Sequence, residues 1–273
     1  MFRSIWPYIG AGIILLFTAG AILAPWLSPY DPYEIRLSEQ LAGPSWAHPL
    51  GQDRNGSDIL SRLLYGARIS LMVGLSVVGL TAVVGVFLGL VSGYYGGWID
   101  TLLMRVVDIL LAFPGLLLAI ALVAVLGPSM RNVVIALAVL GWVSFARLVR
   151  GQVLSVRERD FVLAARTSGQ GDLRIMLVHI LPNVLSPVIV QATFGIAGVI
   201  ISESSLSFLG LGAPPGTPSW GAMLSQGKQV LLDAPHVSIF PGLAIMLVVL
   251  AFNFLGDGLR DRLDPKGGPG RRA

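Results

Sequence analysis

The chain has 273 residues, of which 54% are hydrophobic and only 12% are charged, and its mean hydropathy is +0.76. Because a soluble globular protein carries about 25% charged residues, this composition excludes most soluble folds and indicates a membrane protein. The formal net charge is +4, and cysteine is absent. The lack of cysteine excludes disulfides, thiolate nucleophiles and cysteine-ligated metals.

Six segments are long and apolar enough to cross a bilayer, whose hydrocarbon core takes roughly 20 helical residues. Their hydrophobic residues are continuous rather than alternating, which favours helices over the strands of a barrel. The predicted spans are residues 7–27, 69–92, 101–126, 132–149, 184–209 and 237–256. The sequence therefore predicts an all-α polytopic membrane protein with six transmembrane helices.

The first segment has a second interpretation as a cleaved signal peptide. Arg3 precedes the apolar run, and Ala19, Gly20 and Ala21 supply small residues of the kind found at cleavage sites. The apolar run is nevertheless long for a signal sequence, and only one basic residue precedes it. An uncleaved first helix is the favoured prediction.

The distribution of basic residues sets the predicted orientation. Six spans put both termini on one side, and thirteen of the 19 Lys and Arg residues then lie on that side. Since cytoplasmic loops are enriched in Lys and Arg, both termini are predicted to be cytoplasmic. Residues 1–68 then hold the first helix and an extracytoplasmic segment, with a short amphipathic helix at 58–68. Residues 69–273 hold a five-helix core, a cytoplasmic loop at 150–183 and a cytoplasmic tail at 257–273.

Three glycines recur every four residues on the second span, at Gly85, Gly89 and Gly93. Small residues at this spacing let two helices approach closely. Close packing inside the bundle is the favoured interpretation, and an interface with a partner subunit is the alternative.

The sequence contains no complete enzyme motif of the phosphate-binding or serine-nucleophile kind. The stretch GAMLSQGKQ resembles a phosphate-binding loop, but five residues separate Gly221 from Gly227 where the motif has four, and Gln229 replaces the Ser or Thr that would bind Mg²⁺. No G-x-S-x-G motif is present. The three histidines are dispersed along the chain at His48, His179 and His236. We therefore predict no catalytic site, no metal site and no nucleic-acid partner.

Ionisable residues within predicted spans are expensive in lipid and are candidates for function. Arg105 and Asp108 are three residues apart, which predicts a local ion pair at the membrane edge. Glu203 lies among serines near the outer end of the fifth span. Its carboxylate either accepts hydrogen bonds from these serines or lines a translocation path.

The cytoplasmic loop at 150–183 is long and polar in an otherwise apolar chain. Its first half predicts a helix on which Phe161, Ala164, Ala165 and Ser168 share one face at helical spacing. Gly169 and Gly171 then break the helix. A second helical pattern follows, and Pro182 is expected to end it. Small residues on an exposed helix allow close approach of another protein, which favours docking over an ordinary surface loop.

The loop resembles the cytoplasmic signature of ABC importer permease subunits, which reads Glu-Ala-Ala, three residues, Gly, nine residues and Ile-x-Leu-Pro. Five residues match it in register, and they are Ala164, Ala165, Gly169, Leu181 and Pro182. Leu163 stands at the Glu position, and His179 stands at the first Ile position. Four further blocks resemble the C-type permeases of the dipeptide, oligopeptide and nickel group, and they are HPLGQDRNGSDILSRLLYGARISL, MRVVDILLAFPGLLLAI, SSLSFLGLGAPPGTPSWGAML and AFNFLGDGLRDRLDP.

This resemblance implies the ABC type I importer permease fold in a bacterial or archaeal cytoplasmic membrane. It implies a homologous second permease, two cytoplasmic ATPase subunits that bind ATP and Mg²⁺, and an extracytoplasmic solute-binding protein. No cofactor is implied in this chain. The implied ATPase-docking residues are Phe161, Ala164, Ala165, Arg166, Gly169, Leu181 and Pro182, with Glu203 a candidate for the path. Dipeptides, longer peptides, glutathione and nickel chelates all fit this group as substrates.

Two other classes of protein compete with this interpretation. An intramembrane enzyme would need a polar constellation within the spans, and none is visible. A stand-alone secondary transporter would need coupling-ion carboxylates, for which only Asp108 and Glu203 are candidates. It would also leave the cytoplasmic docking helix without a role.

Overall fold

The computed structural model describes residues 5–263, which form an α-helical bundle without a β-strand in that range. In chain order, the helices are α1 (Trp6–Ile22), α2 (Ala24–Leu27), α3 (Ile59–Tyr95), α4 (Gly97–Leu111), α5 (Gly115–Leu126), α6 (Met130–Val156), α7 (Asp160–Thr167), α8 (Asp172–Arg174), α9 (Leu181–Phe208), α10 (Trp220–Lys228) and α11 (His236–Leu263). A π-helical turn at Ile175–Ile180 joins α8 to α9.

Four described helices are long and apolar enough to cross a membrane, and they are α3, α6, the continuous helix Asp172–Phe208 and α11. The pair α4 and α5 meets the same criterion as one bent span. The apolar helix α1 is shorter, with 17 residues. Helix α1 is too short to meet the same criterion, so its crossing stays a prediction, as does the cytoplasmic position of both termini. Residues 1–4 and 264–273, with Arg3 and much of the predicted tail, lie outside the described residues.

The third predicted span is not one continuous helix. Helices α4 and α5 meet at an angle of 86°. Pro114 lies at the junction in an extended conformation, with φ −59° and ψ 119°. A proline removes a backbone donor and clashes with the preceding helical turn, so it ends α4 and starts α5 in a new direction. The span predicted over 101–126 is therefore bent, and the sequence analysis did not predict this bend.

The short amphipathic helix predicted at 58–68 is the first part of α3 rather than a separate element. Asp58 caps α3, and its carboxylate accepts a hydrogen bond from the backbone N–H of Ser61 at 2.8 Å. No helix-breaking residue separates this region from the second span, so α3 continues for 37 residues.

The glycine repeat of α3 faces α6 within the bundle. A Cβ added at Gly89 would lie 2.7 Å from the Ala146 carbonyl oxygen, and one added at Gly93 would lie 2.7 Å from Cβ of Val153. No real side chain tolerates such distances, so glycine is what allows the two backbones to approach. The structure confirms the prediction of close bundle packing at this repeat.

The helix that follows the predicted cytoplasmic loop continues through Pro182 without a break. The chain from Asp172 to Phe208 is one helical rod, and Pro182 occupies the first turn of α9. A proline is tolerated there because the π-helical turn before it changes the register of the backbone hydrogen bonds. The prediction that Pro182 ends the preceding helix was therefore wrong.

The segment between α2 and α3 folds over one end of the bundle through buried charges. Arg62 of α3 is 1% exposed and forms an ion pair with Asp53. Nδ1 of His48 lies 2.9 Å from a carboxylate oxygen of Asp58. Because buried charges are stable only when paired, these contacts fix the segment on the start of α3.

Candidate coupling surface and buried carboxylate

Helix α7 is fastened to the rest of the chain by one face. Val162 and Ala165 are buried and belong to an apolar cluster with Ile175 and Ile180. Phe161 is 40% exposed, and Ala164 and Ser168 are also exposed. The face predicted from spacing is therefore divided, because Ala165 supports α7 from beneath while the other three residues face outward. We call the exposed side chains of Phe161, Leu163, Ala164, Arg166 and Ser168 the α7 surface.

Gly169 ends α7 in a left-handed conformation. Its φ is +74°, and no atom lies within 4 Å of the position that a Cβ would take. Its N–H donates to the Arg166 carbonyl oxygen at 3.0 Å, and the Gln170 N–H donates to the Ala165 carbonyl oxygen at 3.2 Å. These two bonds form a Schellman motif, in which glycine is favoured because it adopts positive φ without strain. The backbone conformation at this position therefore explains why the sequence signature has a glycine here, and steric crowding does not.

A tyrosine from α3 contacts both α7 and the start of α8. The Tyr94 hydroxyl donates to a carboxylate oxygen of Asp172 at 2.6 Å. The Arg166 guanidinium carbon lies 4.9 Å from the centroid of the Tyr94 ring, within the range of a cation–π interaction. One side chain of α3 therefore contacts both α7 and the start of α8, so that α7 is connected to a membrane-spanning helix.

The remaining signature residues secure the second half of the loop. Leu181 packs against the apolar cluster beneath α7, and Pro182 is exposed. Nε2 of His179, which departs from the signature, lies 2.9 Å from the side-chain oxygen of Gln170. His179 therefore ties the π-helical turn to the residue that follows Gly169. Leu163, the other departure, is 42% exposed and presents an apolar side chain on the α7 surface.

Glu203 is enclosed near the other end of the bundle. Its side chain is 0% exposed and is surrounded by serine hydroxyls from two helices, α3 and α9, and from the N-cap of α10. Ser207 donates to the carboxylate at 2.8 Å and Ser219 at 3.1 Å. Ser204 and Ser70 lie at 3.4 and 3.5 Å. The expected hydrogen bonds from neighbouring serines are present, and the carboxylate links α3, α9 and α10. Its role in lining a path stays a prediction.

The ion pair predicted between Arg105 and Asp108 has a different partner. Asp108 accepts a hydrogen bond from Arg147 of α6 at 2.6 Å, and both side chains are about half exposed. Helix α4 packs beside α6, so this pairing joins two helices. The prediction of a local pair was wrong because sequence spacing does not reveal which neighbouring helix offers a better partner.

Other residues at this end of the bundle were not identified from the sequence. Arg150 of α6 donates to Asp100 of α4 at 2.6 Å. Tyr94 and Asp172 are 78 residues apart, and Val162 lies immediately before the first signature position, Leu163. Hydrophobic periodicity does indicate Val162, since it is three residues before Ala165 on the buried face of α7.

The described residues form an α-helical bundle in which the short helix α7 packs on two long apolar helices, α3 and the continuous helix Asp172–Phe208. Comparison with solved structures finds the same fold in an inward-facing conformation of the MetNI methionine ABC transporter, with a TM-score of 0.59 and 18% sequence identity over 74% of this chain and 95% of that chain. The two proteins therefore share a fold.

Sequence comparison defines the family further. Residues 85–267 match the family described as binding-protein-dependent transport system inner membrane component, and residues 3–44 match the N-terminal transmembrane domain of oligopeptide transport permease C. The chain is 51% identical over 258 residues to the dipeptide transport system permease protein DppC of Alkalihalophilus pseudofirmus, covering 94% of this chain and 85% of that protein. It is 52% identical over 254 residues to the glutathione transport system permease protein GsiD of an Escherichia coli strain, covering 93% and 84%.

The chain belongs to the binding-protein-dependent transport system inner membrane components and is a peptide-type ABC transporter permease. It is a multi-pass membrane protein and a transport subunit. The resemblance noted in the sequence is confirmed, and the alternative of a stand-alone secondary transporter has no support from these relatives.

Proposed function

We propose that this chain pairs with a homologous second permease, that two cytoplasmic ATPase subunits drive the pair, and that an extracytoplasmic binding protein supplies short peptides or glutathione-like solutes. The substrate class follows from the relatives, whose names specify dipeptide and glutathione transport. In this arrangement ATP and Mg²⁺ are bound by the ATPase subunits. The six spans and the cytoplasmic termini predicted from the basic residues belong to the same proposal.

The α7 surface is the proposed docking site for an ATPase subunit. The observation that carries this proposal is the division of α7 into a buried face at Val162 and Ala165 and an exposed face with Phe161 and Ala164. Short exposed helices with small residues fit grooves on partner proteins, and an aromatic side chain supplies an anchor. Because Leu163 stands where the family signature has Glu, the matching wall of the ATPase groove is expected to be apolar.

Coupling then follows from the attachment of α7. ATP can bias two transporter states only through contacts that differ between them. The docked α7 surface supplies such contacts, and its movement reaches the bundle by two routes. One is the hydrogen bond from Tyr94 to Asp172. The other is the continuous helix from Asp172 to Phe208, through which the cytoplasmic segment tilts a membrane-spanning helix.

Co-purification tests this docking proposal. Ala164→Trp places a large ring on the α7 surface, and loss of the ATPase subunits from the purified complex is the expected result. Gly12→Trp on α1 is the matched control, because Gly12 is exposed and has no atom within 4 Å of an added Cβ. Full retention of the ATPase subunits by Ala164→Trp would contradict docking at this surface.

A further inference from the structure

Helix α9 carries a polar face that neither the fold nor the coupling segment uses. Gln191, Gly198, Ser202 and Ser205 follow one another at intervals of seven, four and three residues, which keeps them on one side of a helix. Each is exposed or half-buried in the described bundle. We call these four residues the α9 stripe.

The packing of α9 leaves this face open between two neighbouring helices. On one side, Ile196 and Ile200 lie against Gly74 of α3. On the other side, the Phe194 ring lies 2.9 Å from the Cβ position of Gly256 in α11. Phe194 borders the stripe, and α6 and α10 also pack on α9, so the stripe is the part of α9 that stays exposed or half-buried between these neighbours.

The amide of Gln191 makes lipid a poor environment for the stripe. Gln191 lies seven residues inside the predicted span 184–209, or roughly 10 Å from the start of that span, which is within a hydrocarbon core about 30 Å thick. Among residues 5–263 the structure gives its side chain no hydrogen-bond partner. An unpaired amide in hydrocarbon costs several kcal/mol. Water or a polar solute satisfies both its donors and its acceptor.

The stripe leads into a groove at the outer end of α9. The groove has a volume of about 350 Å³, and its lining includes Ser204, Ser205 and Phe208 of α9 with Leu224 of α10 and Ile245 of α11. This volume lies within the range of about 300–1,000 Å³ that is typical of small-molecule sites. Mixed apolar walls with a few hydroxyls are the usual composition of such a site.

The chemistry of the stripe suits a solute that carries peptide amides. The hydroxyls of Ser202 and Ser205 donate to carbonyl oxygens of α9 at 2.8 Å, and each oxygen keeps a lone pair that can accept a bond. Gln191 both donates and accepts. The Lys228 ammonium lies 5.4 Å from the centroid of the Phe208 ring, which places a cation beside the groove. A carboxylate solute is attracted by that charge, while its amides meet uncharged partners.

The buried carboxylate of Glu203 is separate from this surface. Its hydrogen bonds run to Ser70 of α3 and Ser219 before α10, whereas the stripe faces away from α3. The stripe itself carries no carboxylate. A fixed negative charge would repel anionic peptides, so an uncharged surface accepts solutes of differing side-chain charge.

We propose that the α9 stripe and the groove at its outer end form this subunit's wall of the translocation path and bind amide-containing carboxylate solutes through uncharged hydrogen bonds. This inference rests on the proposed function as a peptide permease. The second permease closes the other side of the path, leaving a water-filled space along the stripe.

Because the chain has no cysteine, single cysteines test this directly. Ser202→Cys and Ser205→Cys are compared with Phe87→Cys, whose parent side chain on α3 is 63% exposed and apolar. Each variant is assembled with the second permease and the ATPase subunits in lipid nanodiscs, which leave both faces accessible to a charged methanethiosulfonate reagent. Co-purification of the ATPase subunits establishes that a variant is folded.

Thiols react as thiolates, which form in water and not in lipid, so the stripe cysteines are expected to react at least about tenfold faster than the Phe87 variant. Alanylalanine is expected to slow their reaction and leave the control unchanged. Import of alanylalanine is measured separately with the unsubstituted complex and its binding protein in sealed vesicles. If that complex imports alanylalanine while the stripe cysteines react as slowly as the control, lipid or the second permease covers the stripe and the inference is overturned. If the stripe cysteines react quickly, alanylalanine does not slow their reaction and no alanylalanine is imported, the stripe lines the path but the proposed substrate class is wrong.

Discussion

Replacing Gly169 with alanine tests whether the conformation that ends α7 matters for docking. Gly169 has φ +74°, and no atom lies within 4 Å of an added Cβ. The cost of Gly169→Ala is therefore conformational rather than steric, and a left-handed residue with a side chain costs roughly 1–2 kcal/mol. Gly171 is the matched control, since its φ is −69° and its added Cβ also meets no atom. Alanine fits that conformation without strain.

In the free Gly169→Ala permease, a local rearrangement at the end of α7 relieves the strain of the left-handed alanine. If ATPase docking requires the Schellman motif, binding has to restore it, and the energy of that strain is subtracted from the binding energy. An energy of about 1–2 kcal/mol corresponds to a decrease in affinity of roughly 5- to 30-fold. Titration of detergent-solubilised permease pairs with the ATPase subunits measures this change. Gly169→Ala is expected to weaken binding by that factor, Gly169→Asn by less, and Gly171→Ala not at all. Equal affinities for the Gly169 and Gly171 variants would refute the reasoning.

Three further substitutions have defined outcomes. Tyr94→Phe keeps the ring beneath Arg166 but removes the hydrogen bond to Asp172, so transport per ATP hydrolysed is expected to fall; an unchanged ratio would exclude this route of coupling. Glu203→Ala removes the acceptor shared by four serines, so lower thermal stability of the bundle is expected because the carboxylate links α3, α9 and α10; loss of peptide uptake at unchanged stability would contradict this structural role. Gly89→Ala on α3 is expected to lower thermal stability by about 1–3 kcal/mol through overpacking, while Gly79→Ala, which meets no atom within 4 Å, should leave it equal or higher.

The sequence predicts the parts of this protein that depend on local pattern. Continuous apolar runs place α3, α6, α9 and α11 close to their observed positions, because a bilayer demands a minimum length of apolar helix. The spacing of the glycines on α3 predicts close packing for a physical reason that the structure confirms. The family signature identifies the segment that holds α7, since the left-handed conformation at residue 169 favours the signature glycine.

The sequence does not predict features that depend on contacts between distant residues. Tyr94 braces Asp172 across 78 positions, and no periodicity relates the two. Asp108 pairs with Arg147 rather than with Arg105 because helix packing decides which cation is nearest. Pro114 is visible in the sequence, but the bend at this residue was not predicted because the apolar runs on either side together fit one span.

The α9 stripe also could not be identified from the sequence alone. Its residues are regularly spaced in the sequence, but the spacing alone does not reveal which side of α9 is open. The packing of Ile200 on α3 and Phe194 on α11 helps to identify the part of α9 that stays exposed or half-buried. Glu203 draws attention in the sequence because it is charged, and the structure instead encloses it among serines.

Site-specific crosslinking from Ala164 tests the central claim most directly. In a chain without native cysteines, Ala164→Cys carries a short photoactivatable crosslinker on the α7 surface while the assembled transporter is held in lipid vesicles with and without ATP. The account predicts a crosslink to an ATPase subunit whose yield changes with nucleotide, together with ATP-dependent peptide uptake by the unlabelled complex. ATP-driven uptake without any crosslink from Ala164 to an ATPase subunit would contradict it.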